Sequence, residues 1–148
     1  MLNIDRAWAR VAHLFPKTKR IGDFRFMAVG QNFTLTTGAA SGSTRVDFAT
    51  GAIILGITAG LSVASQAGTQ AIRGLDAIAV SLDYPNNEAI ITGGRMNAKA
   101  IFGIGERCDF PAKELVIGAN GSLTYNVENL STSTVNVSIV HHCLIPRL

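Results

Sequence analysis

Residues 114–143 read ELVIGANGSLTYNVENLSTSTVNVSIVHHC. Apolar side chains recur at every second position through Leu123, Tyr125 and Val127, and again through Val135, Val137 and Ile139. Thr124, Asn126, Asn136 and Ser138 fall between them. A period of two is the strand period, because successive side chains of an extended chain leave opposite faces. Asn120-Gly121 tolerates positive φ and predicts a tight hairpin turn between ELVI and the strand through Leu123. The polar run NLSTS, residues 129–133, predicts a second reversal. Inward parity then continues from Val135 to His141 and Cys143, which places Val140 and His142 on the opposite face.

The same alternation extends upstream. Phe24 and Phe26 alternate with Asp23 and Arg25, Phe33 and Leu35 with Asn32 and Thr34, and Val46 and Phe48 with Arg45 and Asp47. Ile78, Val80, Leu82 and Tyr84 alternate with small or polar residues. Turn-forming clusters (TGAASGS, YPNNE, TGGRMN, GANGS) punctuate these runs at the spacing of an all-β domain. The predicted fold is an antiparallel β-sandwich, jelly-roll-like, over residues 23–148, preceded by a short helical arm at 1–22. Ile53, Ile54, Leu55 and Ile57 are apolar on both faces, which predicts a central strand or one covered from outside. Residues 68–74, rich in small side chains, predict an exposed loop suited to a subunit contact.

The arm departs from this pattern. Ile4, Trp8, Val11 and Phe15 recur at helical spacing, Asn3 or Asp5 fits an N-cap, and Pro16 stops the element. A helix of three turns is marginal alone in water, so its apolar stripe must dock on the body or on a neighbour. Residues 1–25 carry six Lys or Arg (Arg6, Arg10, Lys17, Lys19, Arg20 and Arg25) against Asp5 and Asp23, whereas the remaining chain has seven basic and eight acidic residues. The basic excess therefore belongs to the arm. A body without a basic stripe interleaved with aromatics argues against a nucleic-acid-binding domain, which leaves two readings of the basic leader: a solvated segment that contacts nothing, or a contact for an acidic protein surface. The arm residues expected to bind a partner are Ile4, Arg6, Trp8, Arg10, Val11, Phe15, Lys17, Lys19 and Arg20.

At 148 residues the chain has enough surface to bury for one self-sufficient core. Two cysteines, Cys108 and Cys143, are too few for a disulfide framework, and the basic leader lacks the apolar region and cleavage site of a signal peptide. Residues 52–64 are the most apolar run, but it is too short and too interrupted by glycine to span a bilayer.

His141, His142 and Cys143 are the residues that most resemble chemistry. Adjacent histidines on a strand cannot hold one ion, while the i, i+2 pair His141 and Cys143 could contribute two ligands, with Cys108 and His13 available only by elimination. Structural packing of His141 is the expectation, with no metal and no cofactor. No G-x-S-x-G elbow occurs, GIGER at 103–107 lacks the setting of a phosphate loop, and Asp76, Asp83, Glu88 and Asp109 fall in expected turns or strand ends. The chain is expected not to be an enzyme. Four Asn-x-Ser/Thr matches, at Asn32, Asn120, Asn129 and Asn136, follow from composition.

Residues 108–146, CDFPAKELVIGANGSLTYNVENLSTSTVNVSIVHHCLIP, resemble the C-terminal half of small jelly-roll structural proteins of tailed bacteriophages. The resemblance rests on Phe110-Pro111, Asn120-Gly121, Leu123, Val127, Asn129-Leu130-Ser131 and Ser133, and extends more loosely over residues 51–84. It implies a virion protein assembled in the host cytoplasm, such as a capsid cement or decoration protein or a minor head or tail component. The implied partners are the major capsid protein or other virion proteins, with self-association as a dimer or trimer, and neither specific nucleic acid nor membrane. The alternative is a carbohydrate- or receptor-binding β-sandwich of a tail or fibre, and a small hydrolase is a third reading.

Overall fold

The computed structural model of the chain describes residues 5, 8–9, 12–36, 41–63, 77–84, 94–102 and 115–147. Among the described residues eight strands follow in chain order: β1 (Phe24–Leu35), β2 (Ser41–Phe48), β3 (Ala52–Val63), β4 (Ile78–Asp83), β5 (Met96–Asn97), β6 (Leu115–Ile117), β7 (Gly121–Asn129) and β8 (Val135–Pro146). A short helix, α1 (Ala98–Phe102), follows β5, and 3-10 turns lie at Ala12–Leu14 and Ile21–Asp23. The strands form two antiparallel four-stranded sheets, ordered β1-β8-β3-β6 and β2-β7-β4-β5, with the main core between them. The loop expected at 68–74 and the stretch GIGER lie outside the described residues, as do Cys108, Asp76, Glu88 and Asp109.

The pairing is that of a chain folded back on itself. β1 pairs with β8, β2 with β7, β3 with β6 and β4 with β5, and the doubled ribbon then closes into sheets through β3 with β8 and β4 with β7. This corrects the hairpin expected at Asn120-Gly121. β6 belongs to the first sheet and β7 to the second, so the turn carries the chain across the sandwich. It does so beside the β2–β3 connection. Phe48 pairs with Gly121 in one sheet and Ala52 with Ile117 in the other, and Asn120 N–H donates to Ala49 O at 3.1 Å, tying the two crossings together.

Positive φ falls on Asn120, at 58°, and on Gly51, at 76°. Gly121 is required for space instead, since a Cβ there would lie 2.6 Å from Ile117 Cγ2 and 2.8 Å from Gly118 O. At Gly51 both constraints act, because an added Cβ would lie 2.7 Å from Ile117 O.

The second expected reversal, NLSTS, also changes sheets, and the buried Asn129 holds it. Its amide donates to Thr36 O and Ser133 O, each at 2.8 Å, and its carbonyl oxygen accepts from Ser131 N–H and Ser131 Oγ–H at 2.9 and 2.7 Å. All four hydrogen-bonding positions of the side chain are used, which is what makes burying it tolerable.

Strand parity builds two apolar clusters. On β8 the inward row is Val135, Val137, Ile139, His141, Cys143 and Ile145, packed against Val80, Leu82, Leu123, Tyr125 and Val127 of the second sheet. The outward face of the first sheet carries a smaller cluster of Phe24, Ile53, Leu55 and Leu144, covered by Trp8, Phe15 and Phe26. Phe24 and Phe26 therefore do not face the main core, and from β1 that role falls to Met27, Val29, Phe33 and Leu35. A register shift in β3 between Ile54 and Gly56 makes Leu55 an extra residue and turns it outward. Ile53 and Leu55 pointing out, with Ile54 and Ile57 pointing in, account for the two-faced apolar run.

Gly51→Ala is expected to lower stability by about 1–3 kcal/mol in urea unfolding, whereas Asn120→Gly, which relieves positive φ, should change it by only a few tenths of a kcal/mol. Equal tolerance at the two positions would contradict the stacked crossings.

Candidate functional site

His141 sits at the centre of the sandwich with no exposed surface. Its Nδ1 lies 2.8 Å from Val29 O and its Nε2 lies 2.6 Å from Tyr125 Oη. A carbonyl oxygen only accepts, so Nδ1 carries the proton and donates, and Nε2 accepts from the Tyr125 hydroxyl. The neutral ring thus joins an inner strand of each sheet, β8 and β7, to β1. Phe48 stands edge-on to it with ring centroids 5.9 Å apart.

Each titratable group here is held in its uncharged form. Burial pushes the His141 imidazole below its ordinary 6.5, opposed by the Val29 hydrogen bond and reinforced by His142. Burial, with a lesser contribution from Cys143, raises the Tyr125 hydroxyl, and burial pushes the Cys143 thiol up to about 12. Cys143 Sγ–H donates to His141 O at 3.4 Å. His142 lies on the opposite face of the strand, half-buried, with Nε2 at 3.2 Å from Thr58 Oγ1 and its ring 6.2 Å from that of Phe26. The two histidines cannot converge on one ion, and both nitrogens of His141 are already engaged. Among the described residues no group of three His, Cys, Asp or Glu is placed to hold a metal ion.

The arm provides the more accessible arrangement. Ile4, Arg6, Arg10 and Val11, with the capping candidate Asn3, lie outside the described residues. Asp5, Trp8 and Ala9 are helical, and the chain then turns through Ala12–Leu14. Trp8 stacks on Phe15 with centroids 5.7 Å apart, and both rings tilt against Phe24, at 5.3 and 4.8 Å. Trp8 and Phe15, the described members of the apolar stripe, thus dock on the chain's own outward cluster. Lys17, Lys19 and Arg20 follow, all exposed.

Asp23 closes the segment. Its Oδ2 accepts Arg20 N–H at 2.8 Å, and its backbone O accepts Arg147 N–H at 2.9 Å. Phe15, Lys19, Gly22, Asp23, Phe24, Pro146 and Arg147 enclose an open cleft of about 280 Å³ between this segment and the end of β8. Arg147 was not singled out from the sequence; its guanidinium Nε donates to Phe24 O at 3.2 Å, which fixes it at the cleft. Its place depends on β1 and β8 ending together, a long-range pairing with no local signal.

The outward face of the second sheet is polar. Asn126 Nδ2 donates to Asp83 Oδ2 at 3.0 Å and to Ser81 Oγ at 3.4 Å, and Arg45 pairs with Asp47 and Arg95 with Glu128. Among the described residues no helix is long and apolar enough to cross a membrane. No family model, curated protein or solved structure matches the chain.

Tyr125→Phe leaves His141 Nε2 without a donor and is expected to cost about 1–3 kcal/mol. Stability should also depend on pH. The unfolded histidine takes up its proton near 6.5 and the folded one at lower pH, so this contribution is complete above 6.5 and is lost as pH falls below it. The loss runs at up to about 1.4 kcal/mol per pH unit. Urea unfolding between pH 7.5 and 5 is the measurement, and His141→Ala should both lower stability and flatten the acid slope. An unchanged slope in that variant would place the titration elsewhere.

Proposed function

We propose that the chain is a jelly-roll structural protein of a tailed-bacteriophage virion. In this reading it is a capsid cement or decoration protein that binds and stabilises the shell through protein–protein contacts, with no enzymatic activity. The observation that carries the reading is the strand order. Eight strands folded back between β4 and β5, in sheets ordered β1-β8-β3-β6 and β2-β7-β4-β5, support a jelly roll, an architecture frequent among viral capsid and lectin domains.

The residues behind the phage resemblance add to this. Asn120 and Gly121 occupy one corner where the chain changes sheets, and Asn129 and Ser131 occupy another. Leu123 and Val127 lie between these corners on β7, so the described part of the shared pattern combines corners with inward strand positions. The basic excess at the arm supports attachment to an acidic protein surface, with the major capsid protein or another virion protein as partner and a dimer or trimer as the attached unit. Assembly would take place in the host cytoplasm.

A carbohydrate- or receptor-binding module is the second reading, favoured by the hydrogen-bonded Ser81, Asp83 and Asn126 on the outward face of the second sheet. Co-sedimentation with empty shells of the encoding virus separates the two. Saturable binding to shells, with no retention on a glycan array, is expected; glycan binding without shell binding would overturn the virion reading in favour of the second.

A further inference from the structure

We propose that the cleft between the arm and the end of β8 receives an acidic segment of a partner protein, which inserts one apolar side chain while its carboxylates meet Lys19 and Arg147. The inference rests on the reading that the protein works by docking on other proteins, and it names where and by what chemistry.

Three features of the cleft carry it. Its lining combines the apolar Phe15, Phe24 and Pro146 with the cations Lys19 and Arg147. The charge around it is unbalanced. Lys17, Lys19, Arg20, Arg25 and Arg147 are all exposed on the segments that form it, and none of the five has a carboxylate partner through its side chain among the described residues. The one carboxylate in the lining, that of Asp23, already accepts the Arg20 N–H as a local cap. By contrast, two described cations away from the cleft are engaged, Arg45 with Asp47 and Arg95 with Glu128.

The guanidinium of Arg147 is also oriented. Its Nε is committed to Phe24 O, which leaves the terminal nitrogens as a fixed fork for a carboxylate. Apolar walls beside unpaired cations complement a segment that alternates acidic and apolar residues. They suit an extended polyanion less well. A nucleic acid would use exposed aromatic faces for stacking, and the rings here are packed on one another, Phe15 on Phe24 at 4.8 Å and Trp8 on Phe15 at 5.7 Å.

The test uses the full chain and a fluorescein-labelled peptide of one phenylalanine flanked on each side by three glutamates, read by anisotropy. Trp8, the only tryptophan, packs against the cleft wall and gives a second readout through its emission. Binding is expected to be saturable and weakened by salt. It should fall at least about tenfold when the phenylalanine is replaced by glycine, and by a similar factor in the double variant Lys19→Gln, Arg147→Gln with an unchanged melt; tenfold corresponds to about 1.4 kcal/mol. Because both residues are exposed, the charge-reversed pair Lys19→Glu, Arg147→Glu serves as a second variant should the first be poorly soluble.

Absence of binding, binding indifferent to both pairs of substitutions, or tighter binding of a single-stranded oligonucleotide or of anionic lipid vesicles would overturn the proposal. The virion reading fails separately. Shell binding that survives both pairs of substitutions removes the cleft and keeps the virion protein, while peptide binding without shell binding keeps the cleft and removes the virion protein.

Discussion

β8 is paired along its length on both sides, to β1 from Phe24 to Leu35 and to β3 from Ile53 to Val63. The rest of the structure depends on that double pairing. It fixes the registers of β1 and β3, and its parity decides which side chains enter the core. A slip of one residue would exchange Val135, Val137, Ile139, His141, Cys143 and Ile145 for Asn136, Ser138, Val140, His142 and Leu144. Such an exchange would bury three polar side chains, and Asn136 and His142 would lose the partners they have now, Thr34 and Thr58. The hydrogen bonds of His141 to Tyr125 and Val29 exist in one register only, so a polar group that would be costly alone penalises every alternative pairing.

The two apolar clusters follow from the same strand. Inward residues of β8 meet the second sheet, and Leu144, pointing outward, joins Phe24, Ile53 and Leu55 to form the surface on which Trp8 and Phe15 rest. That surface continues to Val116, which pairs with Ile53 and is 56% exposed. The arm thus covers an apolar area that the body could not leave open without cost, and in doing so it brings Lys19 beside Arg147. Among the described residues of the second sheet, Arg45 and Arg95 are instead paired, with Asp47 and Glu128.

Periodicity made the strand faces legible. Alternation at Leu123, Tyr125 and Val127, and at Val135, Val137 and Ile139, placed these side chains inward, the parity of His141 and Cys143 followed from it, and the run at Ile53–Ile57 was recognisably apolar on both faces. Partner strands were not legible, because a period of two says which face a residue takes and nothing about which strand lies beside it. This is why Asn120-Gly121 read as a hairpin when it is a crossing between sheets. The same limit hid the outward role of Phe24 and Phe26, whose alternation is identical whichever face is covered. Asn129 read only as a turn residue, since its four hydrogen bonds reach Thr36 as well as its own turn. Arg147 could not be found from the sequence because Phe24 and Asp23, which hold it at the cleft, are more than a hundred residues away.

Native-state hydrogen exchange tests the central place of β8 most directly. Amides of Val135–Ile145 should exchange slowest in the molecule and share one opening free energy, equal to that of denaturant unfolding, while the short edge strands β5 and β6 open at lower cost. Exchange of β8 amides at a free energy well below the global value, or faster than in β5 and β6, would contradict a fold organised around that strand.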